Sequence, residues 1–481
     1  MSRAMMNLRA LVPLLCLVVG ALADMLLEAF LPKKNKDHLG YVALVSLVLS
    51  GFFYIRSWGR DLSCFGGSLT LDRMAVVLCL AFVAAGFFLV LMSLKYIVRQ
   101  DMNHGEYYAL LLFALSGAMV MVSSPNILVV FLGLEILSVS SYALAGMKKN
   151  DPGSSEAAVK YFLMGSFASA FLVFGLALVY GAAASLEING IRAALMGRAG
   201  SFGPGGWAGL ALVIAGFGFK IALVPFHMWA PDVYQGAPTP VTALFSIVPK
   251  LAGFAVLFRL LAPLWGGGAA KPVIWWLLWG VAALTMAVGN LAALRQRNLK
   301  RLLAYSSIAH SGYILLAVLA GDGAALLFYL VAYLFMNAGA FSALVAMTRE
   351  GREYVDLDDF AGIGFKYPWI AASFAIFLFS LAGFPPTAGF LAKFYVFSAA
   401  VRQGQAPLVV IAVLASLISV FYYLRVIVFM YMKDPLAEVD IETDQPALYL
   451  VMFICLCGVI QLGIWPGNLL VLIRQAVASI F

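Results

Sequence analysis

The sequence predicts an all-α polytopic membrane protein, and three observations carry that prediction. Of its 481 residues, 63% are hydrophobic and only 11% are Asp, Glu, Lys or Arg, where a soluble domain is nearer half apolar and a quarter charged. The mean hydropathy is +0.97. The apolar residues come in runs of roughly 20, enough for a helix to cross a bilayer, and not in the alternating ten-residue segments of an outer-membrane barrel. A soluble globular domain, a disordered chain, a nucleic-acid binder and a secreted disulfide scaffold are excluded. The net charge is +8, but its Lys and Arg stand in short loops between apolar runs, as topology signals do.

Taken in order, the spans fall at 11–31, 39–56, 72–97, 106–122, 126–147, 157–182, 207–229, 240–264, 273–294, 301–320, 324–348, 368–400, 407–431 and 447–473, about fourteen transmembrane helices. The seventh is interrupted by Pro225 and the twelfth by Pro385-Pro386. The first could be read as a signal peptide, with a basic head and a small-residue Ala21-Leu22-Ala23 site. Its apolar stretch continues to Leu31, so a retained helix is expected, with Asp24 and Glu28 on one face of it. Counted with the adjoining span ends, the odd-numbered loops carry 16 Lys and Arg, and the even loops with both tails carry 10. This asymmetry predicts odd loops in the cytoplasm and both termini outside. The segments 350–359 and 434–444 then read as solvated cytoplasmic connectors.

A repeat lies within this pattern. Spans four to eight cover 106–264, spans nine to thirteen cover 273–431, and each block of five helices has a proline-broken fourth member. Five is odd, so the second block starts on the opposite side of the membrane from the first. Paired broken helices in corresponding positions are the sequence mark of an inverted-repeat transporter. Residues 1–105 form an N-terminal three-helix segment, and 432–481 supply a loop and a last helix.

The informative residues are charges inside spans. A Lys or Asp at a helix centre costs about 2.5–3.5 kcal/mol on insertion scales, and such residues mark ion or proton paths. This chain has Glu135 in the fifth span, Lys220 in the seventh, Lys250 in the eighth, His310 in the tenth and Lys393 in the twelfth. Each also has a blander reading. Glu135 could fix packing through a salt bridge, and Lys220 could form a static pair with it. Lys250 could be a helix anchor, His310 a histidine bonded to a neighbouring helix, and Lys393 a snorkelling side chain. Ser306, His310 and Tyr313 share one face of their helix, a hydrogen-bonding stripe. Lys220 stands five residues before Pro225 and Lys393 seven after Pro386, so each break has a lysine beside it. Arg259, Arg425 and Lys300-Arg301 lie near span ends, where snorkelling and topology account for them. His227 and Asp232, beyond the first break, suit a cap or a proton entry equally. The five cysteines form no C-x-x-C pair, so neither a metal nor an iron–sulfur site is encoded. Gly216 and Gly218 begin a G-x-G-x-x-G pattern, but position 221 is Ile.

At these residues a resemblance appears. Lys220 with PFHMWAPDVYQGAPTPVT at 225–242, then Pro249-Lys250, NLKRLLAYSSIAHSGY at 298–313 and AGFPPTAGFLAK at 382–393 resemble the antiporter-like membrane subunits of proton-pumping NADH–quinone oxidoreductase, respiratory complex I. Tyr234-Gln235-Gly236-Ala237-Pro238 favours the subunit N branch, the counterpart of mitochondrial NADH dehydrogenase subunit 2. The resemblance runs from about the third span to the end of the chain. It implies a proton path in which Glu135 partners the broken-helix Lys220, Lys250 connects, His310 lies on the central polar axis and Lys393 is terminal. It implies a bacterial inner-membrane protein that binds no cofactor itself. NADH, FMN, iron–sulfur clusters and quinone would sit in partner subunits of the complex. Two other classes stay open: a subunit of a cation (sodium)/proton antiporter, and a mainly structural membrane subunit.

Overall fold

The computed structural model describes residues 8–30, 38–196, 202–261, 264, 273–349, 351–435 and 439–478. The basic head at 1–7, the loop 31–37 with its three lysines, and parts of the two acidic segments (350 and 436–438) lie outside the described residues.

Every expected span has helices in its place. The N-terminal segment holds α1 (Val12–Phe30), α2 (Leu39–Arg56) and α3 (Arg73–Arg99); then come α4 (Gly105–Ser123), α5 (Ile127–Ala145) and α6 (Pro152–Ala183). Polar caps set several starts: Asp72 accepts the Ala75 N–H at 2.7 Å, and Asp151 accepts from Gly153 at 2.9 Å with Pro152 as the first helical residue. A short helix, α7 (Ile188–Met196), precedes the seventh span. That span comprises α8 (Gly203–Lys220), an irregular stretch and α9 (Trp229–Gly236), followed by α10 (Thr239–Leu261). The second half holds α11 (Val273–Ala293), α12 (Leu299–Ala320) and α13 (Gly323–Ala346), then the one-turn α14 (Ile363–Lys366). The twelfth span divides into α15 (Pro368–Ala382) and α16 (Ala388–Arg402), before α17 (Ala406–Met432), α18 (Pro446–Ile464) and α19 (Gly467–Val477). The described residues also form two small antiparallel hairpins, β1 (Leu62–Cys64) with β2 (Leu69–Leu71), and β3 (Thr348–Arg349) with β4 (Arg352–Glu353).

Among the described residues twelve helices are long and apolar enough to cross a membrane. Three differences from the sequence reading have physical causes. The seventh helix stops at Lys220, before Pro225, because Ala222 takes positive φ and Pro225 has no N–H with which to resume the ladder. The twelfth is two helices hinged at Gly383, also at positive φ. The last expected span, 447–473, is α18 and α19, parted at Trp465-Pro466.

Burial sorts the helices. α10, α12 and α13 are buried almost all round and form the centre. α6 turns Phe162, Phe167, Phe171 and Phe174 outward, and α17 turns out Val413, Leu414, Leu417 and Phe421. Small residues let helices approach closely. α4 and α5 touch at Gly117 and Gly133, where a Cβ on either would lie 2.5 or 2.7 Å from the other's carbonyl oxygen.

Candidate functional site

The central helices carry a buried polar row, and it begins where α8 ends. Lys220, 3% exposed, is the last residue of α8. Its ammonium lies 4.8 Å from the Tyr142 ring centre, 5.0 Å from that of Tyr161 and 5.8 Å from that of Phe219, and donates to the Tyr142 hydroxyl at 3.4 Å. Trp229 of α9 stacks on Tyr161 and donates to the Phe219 carbonyl at 2.8 Å, so the far side of the break closes the cage. The static Glu135–Lys220 ion pair is not formed. Glu135, half-buried midway along α5, accepts instead from Ser169 of α6 at 2.5 Å.

The break couples Lys220 to its neighbour. Ser311 of α12 donates to the Ile221 carbonyl at 2.6 Å and accepts from Lys250 at 2.6 Å. Lys250, 1% exposed and midway along α10, also donates to the Ser307 carbonyl and lies over the Tyr333 ring. The Ser307 hydroxyl is shared with Tyr333 at 2.9 Å and Tyr234 at 3.4 Å, and Tyr333 meets Ser246 at 3.2 Å. Pro249, immediately before Lys250, frees a carbonyl in this well-buried helix.

His310, midway along α12, bonds Tyr329 at 2.8 Å through Nδ1 and meets Tyr423 at 3.5 Å through Nε2. The expected stripe on α12 is present, and each member has its own partner. Ser306 bonds Tyr423, His310 bonds Tyr329, and Tyr313 accepts from Asn290 at 3.0 Å. Tyr422 donates to the same Asn290 at 3.0 Å. The row ends at Lys393, 5.1 Å from the Tyr313 ring centre. Lys393 is 5% exposed and does not snorkel. It donates to the carbonyls of Leu381 and Ala382, which the end of α15 frees, at 3.1 and 2.8 Å, and to Ser416 at 2.8 Å.

Lys220, Lys250, His310 and Lys393 thus share one row, and Glu135 flanks its Lys220 end. The sequence reading missed the groups between them: Asn290, Ser311, Tyr329, Tyr333, Tyr422 and Tyr423. Uncharged polar residues inside apolar runs give no signal by composition. The Ser–Tyr spacing around His310 was the one usable hint.

The span-end charges are also corrected. Arg259 holds Asp72 through two hydrogen bonds of 2.6 and 2.7 Å, and Arg425 donates to the carbonyls of Leu294 and Gln296. Asp232, in the first turn of α9, is held in ion pairs with Lys160 at 2.8 Å and Arg301 at 2.5 Å. Lys300, 2% exposed, pairs with Glu353 at 2.9 Å and donates to the Ala237 carbonyl at 2.7 Å. Glu353 accepts as well from Tyr96 and from the Thr239 hydroxyl at 2.9 Å. The 350–359 segment is therefore not a solvated connector, because β3 and β4 press Glu353 against the ends of α10 and α12. In the 434–444 segment the described acidic residues stay largely exposed, and two of them pair with α3: Asp444 with Lys95 and Glu442 with Arg99.

Comparisons with known proteins follow this geometry. The family model described as NADH:quinone oxidoreductase/Mrp antiporter, TM, matches residues 124–419, the stretch that holds Glu135, Lys220, Lys250, His310 and Lys393. The chain is 42% identical to NADH-quinone oxidoreductase subunit N of Trichlorobacter lovleyi over 98% of both chains. It superposes on a chain of respiratory complex I from Thermus thermophilus with a TM-score of 0.81 at 34% identity, covering 95% of this chain and 98% of that one. A chain of a membrane-bound sulfane sulfur reductase, an archaeal respiratory membrane complex, gives a TM-score of 0.86 at 26% identity over 98% and 97%.

Proposed function

Because the chain belongs to the family of NADH-quinone oxidoreductase subunit N, an antiporter-like membrane subunit of respiratory complex I, we propose that it is a non-redox, proton-translocating part of that enzyme in the bacterial inner membrane. Its partners are the other membrane and peripheral subunits. NADH, FMN, the iron–sulfur clusters and quinone are handled there, and the charge movement they drive is passed to this chain.

The observation that carries the proposal is the row itself. Three lysines and a histidine, buried at mid-helix or at helix breaks, are joined through hydroxyls and freed carbonyls. A lysine in a low-dielectric site is poised between charged and neutral forms. In this reading Glu135 sets the charge state of Lys220, a proton moves by way of Ser311 and Lys250 toward His310, and Lys393 is the terminal carrier. The domains follow the same logic. Residues 106–264 and 273–431 act as two five-helix blocks related by inversion, flanked by 1–105 and 432–481. Neighbour relations support this: α4 packs on α5 and α10 as α11 packs on α12 and α17, and each third helix (α6, α13) lies against both halves of a broken one.

Sodium/proton exchange is the weaker reading. Sodium takes oxygen ligands, whereas the described row is built on three ammonium groups and an imidazole, with Glu135 the one carboxylate beside it. Proton uptake per NADH in vesicles of the reconstituted complex tests the proposal. Lys220→Ala should abolish this chain's share while the complex still assembles on native gels. Lys220→Arg should do the same, because arginine keeps its proton. Wild-type pumping by the arginine variant would leave Lys220 as a fixed charge.

A further inference from the structure

The N-terminal three-helix segment holds a carboxyl group that the row does not use. Asp24 lies in α1 and is 0% exposed, and neither carboxylate oxygen has a hydrogen-bond partner. Its depth follows from its neighbours on the same face. One turn toward the helix end, Glu28 accepts the Gly105 N–H of α4 at 2.7 Å. One turn the other way, Gly20 faces Ser46 of α2 and Leu112 of α4. Asp24 is thus enclosed between α1, α2 and α4. An ionised carboxylate without partners there would be very costly, whereas a neutral carboxylic acid is tolerated.

Among the described residues no fixed cation offers an alternative. α1 and α4 contain no Lys or Arg, and those of α2 are limited to Arg56 at its far end. The other titratable groups on these elements are tyrosines, His38 ahead of α2, Cys16, and the cluster at the start of α4. In that cluster the ligating atoms of Glu28, His104 and Glu106 lie within 4.8 Å of one another. His104 and Glu28 are half-buried and Glu106 is exposed, so the cluster reaches from solvent to the turn above Asp24.

We propose that Asp24 is a proton-binding site, loaded from the surface through Glu28, His104 and Glu106. A hydronium at the cluster gives its proton to the Asp24 carboxylate, leaving water and a neutral carboxylic acid, and the reverse step returns it. The site does not depend on the Lys220–Lys393 row, so either can fail while the other stands.

Infrared difference spectroscopy of the assembled, reconstituted complex tests this. The wild type should show the carbonyl-stretch band of a protonated carboxylic acid, displaced when aspartate is labelled with carbon-13. Asp24→Asn should remove the band. Asp24→Glu should retain a band insensitive to that label, which covers the case in which the asparagine variant does not assemble. Transfer to heavy water should shift the wild-type band promptly and should do so more slowly in His104→Ala and Glu28→Gln. Absence of a protonated-aspartate band from the wild type, or its persistence in Asp24→Asn, overturns the site. Exchange unchanged by both cluster variants overturns the loading route.

Discussion

Lys220 is held by aromatic faces and a phenol, with no carboxylate in contact. Such a cage stabilises the ammonium by about 2 kcal/mol when desolvated, enough to hold it without trapping it as a direct ion pair would. Tyr142→Phe keeps the face and loses only the long hydroxyl contact, so coupled pumping should fall little. Tyr142→Leu removes the face and should cost roughly tenfold, read as proton uptake per NADH. Glu353 behaves differently, and it lies outside the spans. Burial raises its carboxyl, but the Lys300 ammonium and the hydrogen bonds from Tyr96, Lys300 and Thr239 outweigh this and hold it below the usual glutamate range. A carboxyl depressed on folding contributes stability above its unfolded value and loses it as the pH falls through the folded value. Hydrogen-exchange protection of the β3–β4 hairpin should therefore be constant from neutral pH into the ordinary carboxylate range and collapse only in stronger acid. Lys300→Ala, which strands a buried charge, should destabilise this junction by about 3–5 kcal/mol, seen as a lower Tm of the complex. Sequence spacing could not reveal the pair, since residues 300 and 353 meet only after α12 has run out and α13 has run back.

Among the elements, the two broken helices are the parts that need special backbone. A Cβ on Gly389 would lie 1.8 Å from the Ser380 carbonyl oxygen and so force the halves α15 and α16 apart. Gly389→Ala should reduce assembly and pumping together, with a penalty of at least about 1–3 kcal/mol. Gly467→Ala, where a Cβ meets nothing within 4 Å, is the control and should match the wild type on native gels. The helices were legible because apolar runs of bilayer length have no other use, and the breaks were legible because proline cannot continue a ladder. The true end of α8 was not, since Ala222 carries no sequence mark of its positive φ. Nor were the hairpins, whose strands are two or three residues long, or α7, which is short and lies beside the glycine-rich 197–206 stretch.

The molecule as a whole shows large apolar faces on α1, α2, α6 and α17, suited to lipid and to neighbouring subunits. A tagged chain extracted in mild detergent should bring down flavin, iron–sulfur proteins and NADH dehydrogenase activity, while the pure chain in vesicles should oxidise no NADH. Turnover by the pure chain would contradict its non-redox role. The charged members of the row were visible at this scale because charge inside hydrocarbon needs a reason; Asn290 and Tyr422, which bridge toward Lys393, became visible only when α11 and α17 were side by side. The positions of the row have an electrical consequence. Glu135, Lys250 and His310 each stand midway along their helices, so a line through them stays near the mid-depth of the spans. Charge displaced along that line crosses almost none of the membrane voltage, which does about 2.3 kcal/mol of work per elementary charge for each 100 mV traversed. The lateral signal should then travel equally well in an energised and a de-energised membrane, and the back-pressure of the potential should fall only on the steps that load and discharge the row.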